Sequence, residues 1–162
     1  FWGFGERLDR LENLISLDNK ELLSNFKNYL RFAVYRDPIE RFLSCYLDKV
    51  RQPRKYDPYF EHWNLLGVSF EEFLDFSEEA LKNPDPSTMD EHLRPQSCYY
   101  KKEDVDFIVP LEKLSDFMSQ RFSIDSLPKL NSSKKLPLEL SDLQVQRIKK
   151  MYELDYSIEP NF

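Results

Sequence analysis

Arg36, Ser44, His92, Glu91 and Arg94 are the side chains whose types and spacing point to chemistry in this chain. Arg36 closes the apolar run Phe32 to Tyr35 and stands directly before Asp37 and Pro38, which open a helix. A helix start carries unpaired backbone N–H groups and a partial positive charge, so an arginine beside one makes a place for phosphate or sulfate. Ser44 follows in the same helix, in line with Arg41 and Asp48 at helical spacing. It lies about 10 Å along the axis from Asp37, so an anion shared by Arg36 and Ser44 must lie alongside the helix. The plainer reading is that Arg-Asp-Pro only caps the helix and that Arg36 pairs with a carboxylate. His92 is one of two histidines and sits in a segment of mixed charge between Pro86 and Pro95. Removing a proton from a hydroxyl near neutral pH is work for which histidine is suited. Glu91 is the alternative base, or a group that orients the imidazole. Arg94 offers a bidentate contact to a carboxylate or sulfate, or a structural salt bridge. His62 has no such surroundings and receives no role.

The elements that must position these residues follow from periodicity and capping. Phe32 to Tyr35 reads as a short buried parallel strand. The helix after it is signed by Asp37 at N-cap, Pro38 at the first helical position and Glu40 completing a capping box, with Phe42, Leu43, Tyr46, Leu47 and Val50 as its core face. Ser69 opens a second capping box with Glu72, and Phe70, Phe73, Leu74, Phe76 and Leu81 form the apolar stripe that follows. Asp106 to Val109 is a second strand, Leu111 to Phe122 the helix after it, and Ser141 to Tyr156 the last helix. Two further helices are expected near Glu6 to Leu17 and Asn19 to Tyr29. Gln52 to Asn64, rich in proline and aromatic residues, reads as a structured loop. Its Tyr56, Tyr59, Phe60 and Trp63 either pack it onto the core or stack on a ligand ring. Strands alternating with helices argue for an α/β architecture.

The segment FAVYRDPIERFLSCYLDK closely resembles the 3'-phosphate-binding motif of the Golgi-type carbohydrate sulfotransferases, the family of the HNK-1, chondroitin and dermatan enzymes. MDEHLRPQ, residues 89 to 96, is similar to that family's D/N-E-H-W-R-P-Q motif, with Leu93 in place of the usual aromatic residue. DFIVPLEKL, LPKLNSSKK and QVQRIKKMYELDYSI resemble its later strand, its LPHLN-S turn and its closing helix with a Y-x-x-D-Y/F ending. The resemblance implies a P-loop-like sulfotransferase core of parallel strands flanked by helices. It also implies 3'-phosphoadenosine 5'-phosphosulfate (PAPS) as sulfuryl donor and a glycan hydroxyl as acceptor. On that basis Arg36 and Ser44 hold the donor's 3'-phosphate, Ser133 and Lys134 close over it, His92 is the base with Glu91 beside it, and Arg94 binds the acceptor. For the polar turn of residues 131 to 135, an ordinary solvated loop stands as the alternative.

Enzymes of that family also grip the sulfuryl end of the donor in a basic loop after their first strand. The chain's glycines are Gly3, Gly5 and Gly67. FWGFGERL has no apolar strand before it and lacks a basic phosphate-loop pattern. The expectation is a single domain over residues 1 to 162 that lacks the first strand and the 5'-phosphosulfate loop. The alternative to an enzyme is then a binding module that keeps the sulfotransferase fold and recognises a 3'-phosphonucleotide or a sulfated glycan.

Composition sets the outer limits. A chain of 162 residues, 41% hydrophobic and 15% aromatic, can bury a core without metals or disulfides. A net charge of −6 argues against a general nucleic-acid binder. Residues 31 to 55 hold seven basic and three acidic side chains, a net +4 that leaves −10 for the remainder. A basic island in an acidic chain suits a nucleotide bisphosphate or an acidic glycan. Cys45 and Cys98 have no metal-ligand neighbours, and Asp90 with Glu91 has no third ligand at metal-binding spacing, so no metal is expected. No run has the length of a membrane span. The resemblance places a eukaryotic parent in the Golgi lumen, whereas few cysteines suit a reducing compartment, such as the cytoplasm of a bacterium.

Overall fold

The computed structural model describes residues 28–51, 65, 67–83, 85, 89–127 and 138–162. Both expected strands form and they pair in parallel. β1, Phe32–Tyr35, lies beside β2, Phe107–Pro110, with Phe32 opposite Phe107 and Tyr35 opposite Pro110. Parallel pairing requires a long crossover, and the helices between these strands supply it. The outer edge of β2 is covered by the chain's last residues. Asn161 donates its N–H to the Ile108 carbonyl at 3.1 Å, and its Oδ1 accepts the Ile108 N–H at 2.7 Å.

Helix α1, Pro38–Cys45, starts as its residue types dictate. Asp37 Oδ1 accepts the Glu40 N–H at 3.0 Å, and Pro38 is buried in the first turn. The expected capping box is only half made, because Glu40 stays exposed and does not bond back to Asp37. The helix widens into a π-helical turn over Tyr46–Arg51. Beyond it, Gly67 donates its N–H to the Val50 carbonyl at 3.2 Å. Gly67 has a φ of +76°, left-handed backbone that favours glycine.

Helix α2, Phe70–Ala80, carries the full capping box expected of Ser69 and Glu72. Leu111–Lys113 forms a 3-10 turn leading into helix α3, Leu114–Phe122. Helix α4, Asp142–Met151, is also opened by a full capping box, between Ser141 and Gln144. It ends five residues before the expected Tyr156, since Tyr152 leaves helical geometry with φ −113° and ψ 30°. Asp155–Ser157 forms a separate 3-10 turn. The break is forced from outside the helix, because Tyr152 and Asp155 are drawn into bonds with residues 93 to 97.

The core joins α1, α2 and α4. Phe42 stacks against Phe73 with ring centres 5.0 Å apart, and Tyr46 meets Phe70 edge-on at 5.1 Å. Leu74, Leu93, Ile148 and Tyr152 complete the cluster. Each such side chain contributes roughly 1.5 to 3 kcal/mol on burial. A second aromatic group packs α3 onto the sheet, where Phe117 touches Phe32, Phe107 and Phe162 with ring centres 4.8, 5.5 and 4.9 Å away. The architecture is α/β, as expected. The helices expected at Glu6 to Leu17 and over most of Asn19 to Tyr29, the FWGFGERL segment and the loop Gln52 to Asn64 lie outside the described residues.

Candidate functional site

The site is built where β1 runs into α1. Arg36 is the first residue past the strand, and its main chain is held on both sides by one side chain. Gln96 Oε1 accepts the Arg36 N–H at 2.9 Å, and Gln96 Nε2 donates to the Arg36 carbonyl at 2.8 Å. The Arg36 side chain is half-buried, and its Nε is shielded from solvent with no hydrogen-bond partner. Among the described residues it forms no ion pair, so the carboxylate of the plainer reading is not found there. Ser44 is also half-buried, on the same helix. Of the other cations in the basic island, Arg31 is bound to Asp106, with the Arg31 N–H and Nη2 at 2.8 and 3.3 Å from the carboxylate oxygens. That bonding holds the Asp106 carboxyl below its ordinary range.

Residues 89 to 100 are folded against this junction. Arg41, on α1, donates Nη2 to the Glu91 carbonyl at 3.1 Å, and Tyr99 donates its hydroxyl to the same carbonyl at 3.0 Å. His92 and Glu91 are thereby brought to the helix that carries Ser44. Asp90 Oδ1 accepts the His92 N–H at 2.8 Å and lies 3.0 Å from His92 Nδ1. Glu91 Oε1 is 4.0 Å from Nε2 on the other side of the ring. The carboxylate in hydrogen-bonding contact with the imidazole is therefore that of Asp90, which sequence reasoning had considered only as a metal ligand. An imidazole that donates from Nδ1 to Asp90 has Nε2 as its acceptor.

Arg94 donates Nη2 to the Met89 carbonyl at 2.8 Å and lies over the Tyr99 ring at 5.2 Å. It makes no salt bridge among the described residues, and its Nε is buried without a partner. Burial of Tyr99 pushes its hydroxyl pKa up, with the charges of Arg94 and Arg41 opposing. Around the helix start, Tyr100 and Tyr156 have hydroxyls pushed up to about 12, chiefly by burial and then by the charge of Asp155 and Asp37 respectively. Ser133 and Lys134 lie outside the described residues.

Gln96 and Asp155 were missed as site residues by sequence reasoning. The available signal was their place in the segments MDEHLRPQ and YELDY. Among the described residues no group of three His, Cys, Asp or Glu side chains is placed to hold a metal ion, and no helix is long and apolar enough to cross a membrane.

An arginine just past the first strand, a capped helix carrying a serine, and a histidine loop bonded to both junction and helix are thus the candidate site. The chain belongs to the sulfotransferase family, whose sequence profile matches residues 6–158. Human carbohydrate sulfotransferase 9 is 26% identical over 141 residues, covering 78% of this chain and 31% of that protein. Human carbohydrate sulfotransferase 10 is 33% identical over 58 residues, covering 36% of this chain and 16% of the relative. Carbohydrate sulfotransferase 10 of Danio rerio is 31% identical over 52 residues, 32% of this chain and 14% of the relative. The chain thus spans less than a third of the length of these relatives. No solved structure matches it.

Proposed function

We propose that this chain is the 3'-phosphate and acceptor side of a PAPS-dependent carbohydrate sulfotransferase domain, with a glycan hydroxyl as acceptor. The observation that carries the proposal is the state of Arg36. Its half-buried guanidinium stands beside a helix start, has a shielded Nε without a partner, and is balanced by no carboxylate among the described residues. A cation so placed is matched by an anionic ligand. Ser44, on the helix that follows, and Ser133 and Lys134 are assigned to the same phosphate from the family resemblance.

The transfer moves a sulfuryl group in line from the donor's phosphate to the acceptor oxygen, while the hydroxyl proton leaves. His92 Nε2 takes that proton, and Asp90 on Nδ1 holds the ring and stabilises the imidazolium formed. Glu91, its Oε1 4.0 Å from Nε2, is the alternative base or a second group that orients the imidazole. Arg94 presents its remaining donors to a carboxylate or sulfate on the glycan. The chemistry needs no metal ion.

Calorimetric titration with 3'-phosphoadenosine 5'-phosphate, the desulfated donor, tests the donor side. Saturable binding that Arg36→Ala sharply weakens supports the proposal, and absence of binding by the folded chain overturns it. Sulfate transfer from PAPS to a panel of glycans, assayed with a 5'-phosphosulfate loop joined upstream of the chain, then tests the chemistry. His92→Ala is expected to lower the transfer rate about 10²- to 10⁴-fold while leaving nucleotide binding intact.

A further inference from the structure

We infer that Gln96 and Asp155 are positioning residues that hold Arg36 ready for its anion, an inference that rests on Arg36 binding the donor's 3'-phosphate. β1 ends at Tyr35, and among the described residues Arg36 has no strand partner of its own. The Gln96 carboxamide takes the place of one, accepting the Arg36 N–H and donating to the Arg36 carbonyl. The pairing is directional. A carboxylate could accept but not donate there, and an apolar side chain could do neither.

Gln96 is itself fixed from behind. Asp155 is wholly buried, and its two carboxylate oxygens accept the N–H groups of Gln96 and Ser97, each at 2.8 Å. No basic side chain among the described residues pairs with Asp155. A buried carboxylate without a cation is costly unless its hydrogen bonds are well made. Here those bonds run through one residue to the backbone of Arg36. The arrangement fixes the Arg36 main chain at both its N–H and its carbonyl, so only side-chain rotamers remain to be ordered on binding. Such preorganisation raises affinity without adding a contact to the ligand.

The test compares the chain with Gln96→Met, Gln96→Glu, Arg36→Ala and the Gln96→Met/Arg36→Ala pair. Each is titrated with 3'-phosphoadenosine 5'-phosphate and with adenosine 5'-phosphate, which lacks the 3'-phosphate. Amide hydrogen exchange is read at Arg36 in parallel. Gln96→Met is expected to expose the Arg36 amide and to lower the preference for the 3'-phosphorylated nucleotide about tenfold, with adenosine 5'-phosphate binding unchanged as the sign of an intact fold. Gln96→Glu, which keeps the acceptor, falls between. The pair is no weaker than Arg36→Ala alone, because Gln96 acts through Arg36. Asp155→Asn, which cannot accept two N–H groups in the same way, repeats the Gln96→Met pattern.

An unchanged exchange rate at Arg36, or full nucleotide preference in Gln96→Met, overturns the inference and leaves the donor site standing. Equal binding of both nucleotides by the unaltered chain instead removes the donor-site reading, and the positioning role with it.

Discussion

Tyr152 donates its hydroxyl to the Leu93 carbonyl at 2.9 Å, and both residues are all but inaccessible to solvent. The bond joins the end of α4 to the loop that carries His92, two segments nearly sixty residues apart in sequence. Tyr152 also packs under Phe42, ring centres 6.2 Å apart, so one side chain ties the candidate base loop to α1.

Tyr152→Phe removes the donor and leaves the Leu93 carbonyl buried without it. A loss of about 1 to 2 kcal/mol in stability is expected, read from urea unfolding. Faster amide exchange over residues 91 to 97 should accompany it. Unchanged exchange there would show that the bonds of Arg41, Tyr99, Gln96 and Asp155 hold the loop without it.

The two thiols should separate cleanly by reactivity. Cys45 is 6% exposed, and burial, reinforced by the nearby charge of Asp90, pushes its thiol up to about 12. Cys98 belongs to an exposed residue, although local burial raises its thiol pKa as well. At pH 8, iodoacetamide should alkylate Cys98 first, with Cys45 at least about a hundredfold slower until the chain unfolds. Mass spectrometry of labelled peptides over time, with Cys98→Ser as control, gives the ratio.

The parts of this fold that could be read from sequence are those determined within four or five residues. Asp37, Pro38, Ser69 with Glu72 and Ser141 with Gln144 act on backbone groups one turn away, and local pattern marked each of the helix starts they sign. The grip of Gln96 on Arg36 spans sixty residues and uses a side chain in place of a strand, which leaves no periodic trace. The end of α4 was misread for a related reason. Tyr152, Asp155 and Tyr156 continue a helical spacing, and only their distant partners at Leu93, Gln96 and Ser97 break it. Asp90 and Glu91 are neighbours of the same charge. Which of them reaches His92 Nδ1 depends on the turn made by Leu93 and Arg94 N–H bonding back to the Asp90 carbonyl.

Helix α3 ends on Ser123, whose φ of 54° is left-handed and whose N–H caps the Ser119 carbonyl at 3.0 Å. A side chain in that conformation costs about 1 kcal/mol relative to glycine, which is the usual residue at such an end. Ser123→Gly should therefore raise stability by about 0.5 to 1 kcal/mol without touching the candidate site, as measured by thermal unfolding. A drop in stability would mean that the Ser123 side chain contributes bonds outweighing its backbone strain.

Arg147 on α4 gathers three carboxylates of α2, bonding Glu71, Asp75 at 2.5 Å, and Glu78 through Nε and Nη2 at 2.8 and 2.7 Å. Glu78 has its pKa lowered, chiefly by the hydrogen bond from Arg147, with burial opposing more strongly than the Arg147 charge assists. A carboxylate depressed in the folded state adds stability that is full above its unfolded value near pH 4.3 and is lost as pH falls through the folded value. Arg147→Met removes the cation and leaves three like charges on one helix face. At pH 7 and low salt the loss should be about 1 kcal/mol, since Glu71 and Asp75 are exposed and solvent screens the cluster. It should shrink in 0.5 M salt, where the Debye length is only about 4 Å. Between pH 5 and 3 the unaltered chain should lose stability more steeply than the variant as its carboxylates take up protons. Parallel pH profiles in the two proteins would instead place the stabilising role of Arg147 in the packing of its alkyl stem.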